Sequence, residues 1–136
     1  MDKRISIYII ESYNLVRNLY KHNLSDEFDI KGEFGEEKEC LKAFYNDPAD
    51  VILTDLRLPY KDTFEFIKKI KSKYPDTKII ILSTVEDEEM MYYAATLGVS
   101  GYILKDIEFP VLKETIKQIH FGRLYFGLQE ETGVLI

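Results

Sequence analysis

Cysteine is almost missing from these 136 residues: Cys40 stands alone. No internal disulfide can form, which is the usage expected of a reducing, cytoplasmic setting. Beside Leu41 and Phe44 on a helix-type segment, this thiol reads as a small core side chain. Proline and glycine are sparse at 4 and 7 residues, and no tract enriched in them breaks the chain. That excludes a disordered or low-complexity polypeptide. No apolar run approaches the roughly 20 residues that span a bilayer, and the polar start "MDKR" does not read as a secretion signal. Excess positive charge is lacking too. The net charge of −6 excludes a nucleic-acid surface built on overall charge, though not a local basic patch. No basic recognition helix is present to read DNA directly. No glycine-rich loop follows the first apolar run, which argues against a nucleotide-binding enzyme. His22 and His120 lack the spacing of metal ligands.

What is present alternates. Five short β-type runs, "ISIYII" (5–10), about Phe28–Phe34, "DVILT", "KIIIL" and "GYIL", are interleaved with five helix-type segments. In those segments Leu15, Val16 and Leu19, then Leu41, Phe44 and Tyr45, then Phe64, Ile67 and Ile70 recur at helical spacing. Gly98 ends the fourth helix, Pro110 lies in the first turn of the fifth, and Gly122 follows its end. The third to fifth strands are nearly unbroken apolar runs, the mark of strands covered on both faces. Strict alternation with right-handed crossovers predicts an α/β fold, a doubly wound five-stranded parallel sheet in a three-layer sandwich. It forms one domain over residues 1–122, with 123–136 as a tail or the start of a linker.

In such a sheet ligands gather at the carboxyl ends of the strands. Glu11 and Ser12 follow the first strand, Asp55 ends the third, Ser83 and Thr84 the fourth, and Lys105 the fifth. An aspartate just ahead of "LRLP" can be only a turn former. Its company at the other strand ends favours a reactive group instead. Two carboxylates, a hydroxyl and an ammonium in one cleft suit a divalent cation and a phosphoryl group. "EEKE" (36–39) and "EDEE" (86–89) read as solvated helix starts, where negative charge suits the helix dipole. In "MMYY" (90–93), 100° per residue forbids four inward side chains. Met91 with Ala94 and Ala95 fits the buried side, leaving Met90 or Tyr93 partly exposed, either as ordinary scattered apolar surface or as a partner face.

The pieces "IYIIES", "DVILTDLRLP", "IIILST" and "GVSGYILKD", in this order and spacing, resemble a response regulator receiver domain of two-component signalling over residues 4–122. "GVSGYILKD" followed by "IHFGRLYF" looks most like the NarL/LuxR-type subgroup. The resemblance implies the flavodoxin-like strand order 2-1-3-4-5. It implies Asp55 as phosphoacceptor, fed by a histidine kinase, with Ser83, Thr84, Tyr102 and Lys105 as phosphate-binding and switch residues. Mg²⁺ would be held by Glu11, Asp55 and the backbone carbonyl of Arg57. Lys105 is expected to reach inward to Asp55, and Arg57 and Val85 occupy positions that tune dephosphorylation. Such a domain is a phosphoacceptor with at most self-phosphorylation and self-dephosphorylation chemistry, not an enzyme.

Three residues depart from the family pattern. Ser12 stands where an aspartate normally binds Mg²⁺, so the metal position is weakened; the serine also reads as an N-cap for the first helix. Thr63 replaces a frequent glycine, and Asp106 a frequent proline. Two functions stay open: a phosphorylatable switch, or a pseudo-receiver acting as a phosphate-independent interaction module. The expected partners are a histidine kinase and a second copy, with the dimer face undecided. No membrane is expected as a partner, and DNA only through a helix-turn-helix output domain lying beyond the linker-like tail "RLYFGLQEETGVLI". A stand-alone receiver is the alternative for that tail.

Overall fold

The computed structural model describes residues 3–57 and 59–127. In chain order the elements are β1 (Ser6–Ile10), α1 (Asn14–Leu24), β2 (Asp29–Phe34), α2 (Glu37–Asn46), β3 (Val51–Asp55), α3 (Tyr60–Lys73), β4 (Lys78–Ser83), α4 (Glu88–Thr96), β5 (Gly101–Leu104), α5 (Phe109–His120) and β6 (Tyr125–Phe126). All strand pairs are parallel, in the order β2-β1-β3-β4-β5-β6. The doubly wound order expected for five strands is present, and a sixth strand extends it at the β5 edge. That strand falls in the segment assigned to the tail: "LYFG" is too short to announce itself, and only the β5 edge gives its amides acceptors.

The period of two along each strand sorts the core into two layers. Ile7, Ile9, Val51, Leu53, Ile80, Leu82 and Ile103 pack with Tyr20 and Leu24 of α1 and Leu112, Ile116 and Ile119 of α5. Tyr8, Ile10, Ile52, Ile79, Ile81 and Tyr102 face Cys40 and Phe44 of α2, Phe64, Ile67 and Ile70 of α3, and Met91 and Ala94 of α4. Central strands buried on both sides need apolar residues at every position, which is why their sequence shows no alternation.

Helix limits follow local chemistry. Gly98 (φ +92°) and Gly122 (φ +110°) adopt the left-handed conformation just past α4 and α5, where a side chain would be strained. Asp87 caps α4, its Oδ1 accepting the amides of Glu89 (3.0 Å) and Met90 (3.2 Å). As the α4 pattern requires, Met91 and Ala94 are buried while Tyr92 and Tyr93 are exposed. No helix among the described residues is long and apolar enough to cross a membrane.

Three local expectations are corrected. Leu15 and Leu19 do not face the sheet; they are 74% and 48% exposed, while Tyr20 and Leu24 are buried and Val16 is half-buried. The helix carries two apolar stripes, and the 16/20/24 stripe wins because Tyr20 packs edge-on against Phe109 at 5.9 Å. On α2 the inward stripe is Glu37, Cys40 and Phe44, whereas Tyr45 lies outside against Tyr74. Ser12 does not cap α1: the cap position is Tyr13, without a side-chain bond, because the serine hydroxyl is engaged elsewhere.

Candidate functional site

Parallel strands deliver β1, β3, β4 and β5 to one rim, and the residues just past their ends meet there. Glu11 and Asp55 are almost fully enclosed, at 1% and 2% exposure. Burial of two carboxylates demands partners. For Glu11 the partner is Lys105, whose Nζ lies 2.9 Å from Oε2, while the Tyr13 amide donates to Oε1 at 3.3 Å. Lys105 thus reaches inward as expected, but it meets Glu11 rather than Asp55. The β5 register, pinned by the Lys105 amide on the Ser83 carbonyl (2.8 Å), aims the lysine across the cleft at the β1 end.

Asp55 is held on one side only. Its Oδ2 accepts the Ser12 amide at 3.2 Å and the Ser12 hydroxyl at 3.3 Å. Its Oδ1 is buried with no hydrogen-bond partner. Burial, then the Glu11 charge, pushes the Asp55 carboxyl above the usual carboxylate range, opposed by the Ser12 amide, Lys105 and Arg57. An enclosed, unpartnered carboxylate oxygen beside a second carboxylate is a donor pair suited to a hard dication. The set is charge-poor, however: no cluster of three metal-ligating acids or imidazoles occurs among the described residues, and Ser12 adds only a hydroxyl.

Ser83, buried at the end of β4, is bonded to Val85. Its Oγ accepts the Val85 amide (3.0 Å) and donates to the Val85 carbonyl at 3.3 Å. That carbonyl also takes the hydroxyl of the fully buried Tyr102 at 2.9 Å. Thr84 is exposed beside it.

Sequence reasoning missed the surroundings of Arg57. Its guanidinium donates to the Gly35 carbonyl (2.8 Å) and to Glu37 Oε1 (2.7 Å), and Thr63 Oγ1 donates to Glu37 Oε2 at 2.9 Å. Glu37 is therefore a buried tie between α2, α3 and the β3–α3 loop, not part of a solvated helix start. The available signal was Thr63, a hydroxyl on the same stripe as Ile67 and Ile70, which must find an acceptor when buried. A groove of about 390 Å³ adjoins this tie, lined in part by Leu41, Arg57, Asp62 and Phe66, but Glu11, Asp55 and Lys105 do not line it.

Residues 7–117 match the response regulator receiver domain. This chain belongs to that family. Among curated relatives, the receiver is 34% identical to the transcriptional regulatory protein DegU of Brevibacillus brevis, over 91% of this chain and 53% of that protein. It is 29% identical to the DNA-binding transcriptional activator DevR/DosR of Mycobacterium tuberculosis, over 88% and 56%. It spans about half the length of these curated relatives. In fold it resembles the signal receiver domain of the putative response regulator NarL from M. tuberculosis, with TM-score 0.82, 21% identity and coverage of 90% and 100%. A LuxR-family DNA-binding response regulator from Staphylococcus aureus gives TM-score 0.78 at 23% identity, covering 85% and 98%.

Proposed function

We propose that this receiver is a phosphorylatable switch of the NarL/LuxR type: Asp55 accepts a phosphoryl group from a histidine kinase and re-shapes a surface read by partners. The observation that carries this reading is the free Oδ1 of Asp55, enclosed at the strand rim within the same cleft as the Lys105–Glu11 pair. Oδ1 attacks phosphorus in line, the new O–P bond forming as the bond to the kinase imidazole nitrogen breaks. Ser12 steadies the other oxygen through the transfer. Lys105 exchanges Glu11 for the phosphoryl oxygens, and Ser83 can turn its hydroxyl to them from Val85; positioning and charge stabilisation supply the rate. Asp55, Glu11, the Arg57 carbonyl and, weakly, the Ser12 hydroxyl would hold Mg²⁺. When bound, the ion offsets charge on the phosphoryl oxygens.

A cytoplasmic location, a dimer of receivers and transcriptional output through a DNA-binding domain belong to the same proposal. The names of the half-matched relatives support the last point. A pseudo-receiver is the second reading. It is favoured by Ser12, which brings no charge to a cation and already binds Asp55 through two hydrogen bonds. Intact mass after saturation with a small phosphoryl donor and Mg²⁺ separates the two. We expect one added phosphate on the wild type and none on Asp55→Asn; an unmodified wild type would sink the switch in favour of the interaction module.

A further inference from the structure

The chain leaving α5 does not fall away from the sheet. Past Gly122 it returns along β5, donating the Tyr125 amide to the Ser100 carbonyl (3.0 Å) and the Gly127 amide to the Tyr102 carbonyl (2.7 Å). These two carbonyls would otherwise line an open sheet edge. The register sets Phe126 opposite Tyr102, so both rings stand on one face of the sheet. Phe126 is 1% exposed and shares the layer of Tyr102, Met91, Ala94 and Val99, while Tyr125 packs on the opposite layer. A two-residue strand thus straddles the edge and grips it from both faces. A Cβ on Gly127 would approach the Tyr102 carbonyl at 3.3 Å, so glycine is what allows so close a seat.

Tyr102 is consequently held from two directions. At its tip the hydroxyl bonds to the Val85 carbonyl, which Ser83 also touches; at its backbone and flank it is bound by residues 125–127. None of the β6 contacts involves Asp55.

We propose that β6 is a latch, Phe126 and the Gly127 amide holding Tyr102 in its buried position while Asp55 carries no phosphoryl group. This rests on the switch reading of Tyr102 for its significance, but not for its measurement. The segment leading out of the domain then sets the resting position of the switch, and any force on that segment is felt at Tyr102.

The test uses the whole chain labelled with 3-fluorotyrosine, the Tyr102 ¹⁹F resonance being assigned by its loss in Tyr102→Phe. Without any phosphoryl donor, the wild-type resonance should show little solvent isotope shift. Phe126→Ser should give it a solvent-exposed component, and so should Gly127→Pro, which removes the amide donor and keeps the phenyl ring. Ile70→Val, a core change in the same layer but away from β6, should leave Tyr102 shielded. The latch is overturned if Tyr102 stays shielded in the β6 variants, or if Ile70→Val exposes it equally. Should Phe126→Ser fail to fold, Gly127→Pro decides alone. Because no donor is present, failure of phosphate uptake at Asp55 would leave these spectra untouched, so the latch and the switch fail separately.

Discussion

Asp55 presents one carboxylate oxygen that is tied and one that is buried without a partner, and Ser12 is responsible for the difference. At this scale the sequence put Asp55 at the strand rim, where the structure has it, but did not show what its two oxygens meet. Serine after the first strand was legible as a lost charge, while the helix cap it suggested is not made. Its bond to Asp55 was not legible, because hydroxyl direction depends on how β1 and β3 are staggered. Restoring the carboxylate tests the charge argument. A unit pair at 4 Å is worth roughly 4 kcal/mol at an effective dielectric near 20, much of it returned by hydration. Ser12→Asp should therefore tighten Mg²⁺ by about tenfold, or ~1.4 kcal/mol, in calorimetric titration. Equal affinities would remove the weakened-site account.

Helices gave up their type and rough limits to the sequence, but not always their rotation. On α3 the apolar stripe is single, and Phe64, Ile67 and Ile70 are buried as the spacing requires. α1 offers two stripes, and its orientation was decided by Phe109, more than eighty residues along the chain. Ion pairs between elements were equally hidden. The Arg57–Glu37–Thr63 tie joins segments 20 and 26 residues apart, a separation that periodicity cannot see. Thr63→Val keeps the shape while leaving Glu37 Oε2 without its donor. It should lower the unfolding free energy by about 1–3 kcal/mol in a denaturant titration. An unchanged midpoint would mean that water replaces the hydroxyl.

For the molecule as a whole, two core layers sharing one central sheet should open together, and Cys40 reports on that cooperativity. Burial, then the charge of Glu37, pushes its thiol from 9.0 to about 12. The folded protein keeps this proton where the unfolded chain loses it. The contribution to stability is thus complete below pH 9.0 and drains away as pH rises towards about 12. Tyr20, moved by burial from 10.0 to about 12, acts with the same sign. Thiol reagents at pH 8 should accordingly label Cys40 only as fast as global unfolding allows, with a rate that rises along the denaturation curve. Rapid labelling of native protein would show instead that α2 lifts away by itself.

The order of apolar runs, their alternation with helical stripes and the polar residues at their ends were enough to determine a doubly wound sheet and the address of its cleft. These are properties of periodicity, local in the chain. Tertiary structure alone decided that Lys105 answers Glu11, that Ser12 binds Asp55, that Glu37 turns inward, and that "LYFG" becomes a strand. Each depends on a distance between segments far apart in sequence, fixed only once the sheet has assembled its register.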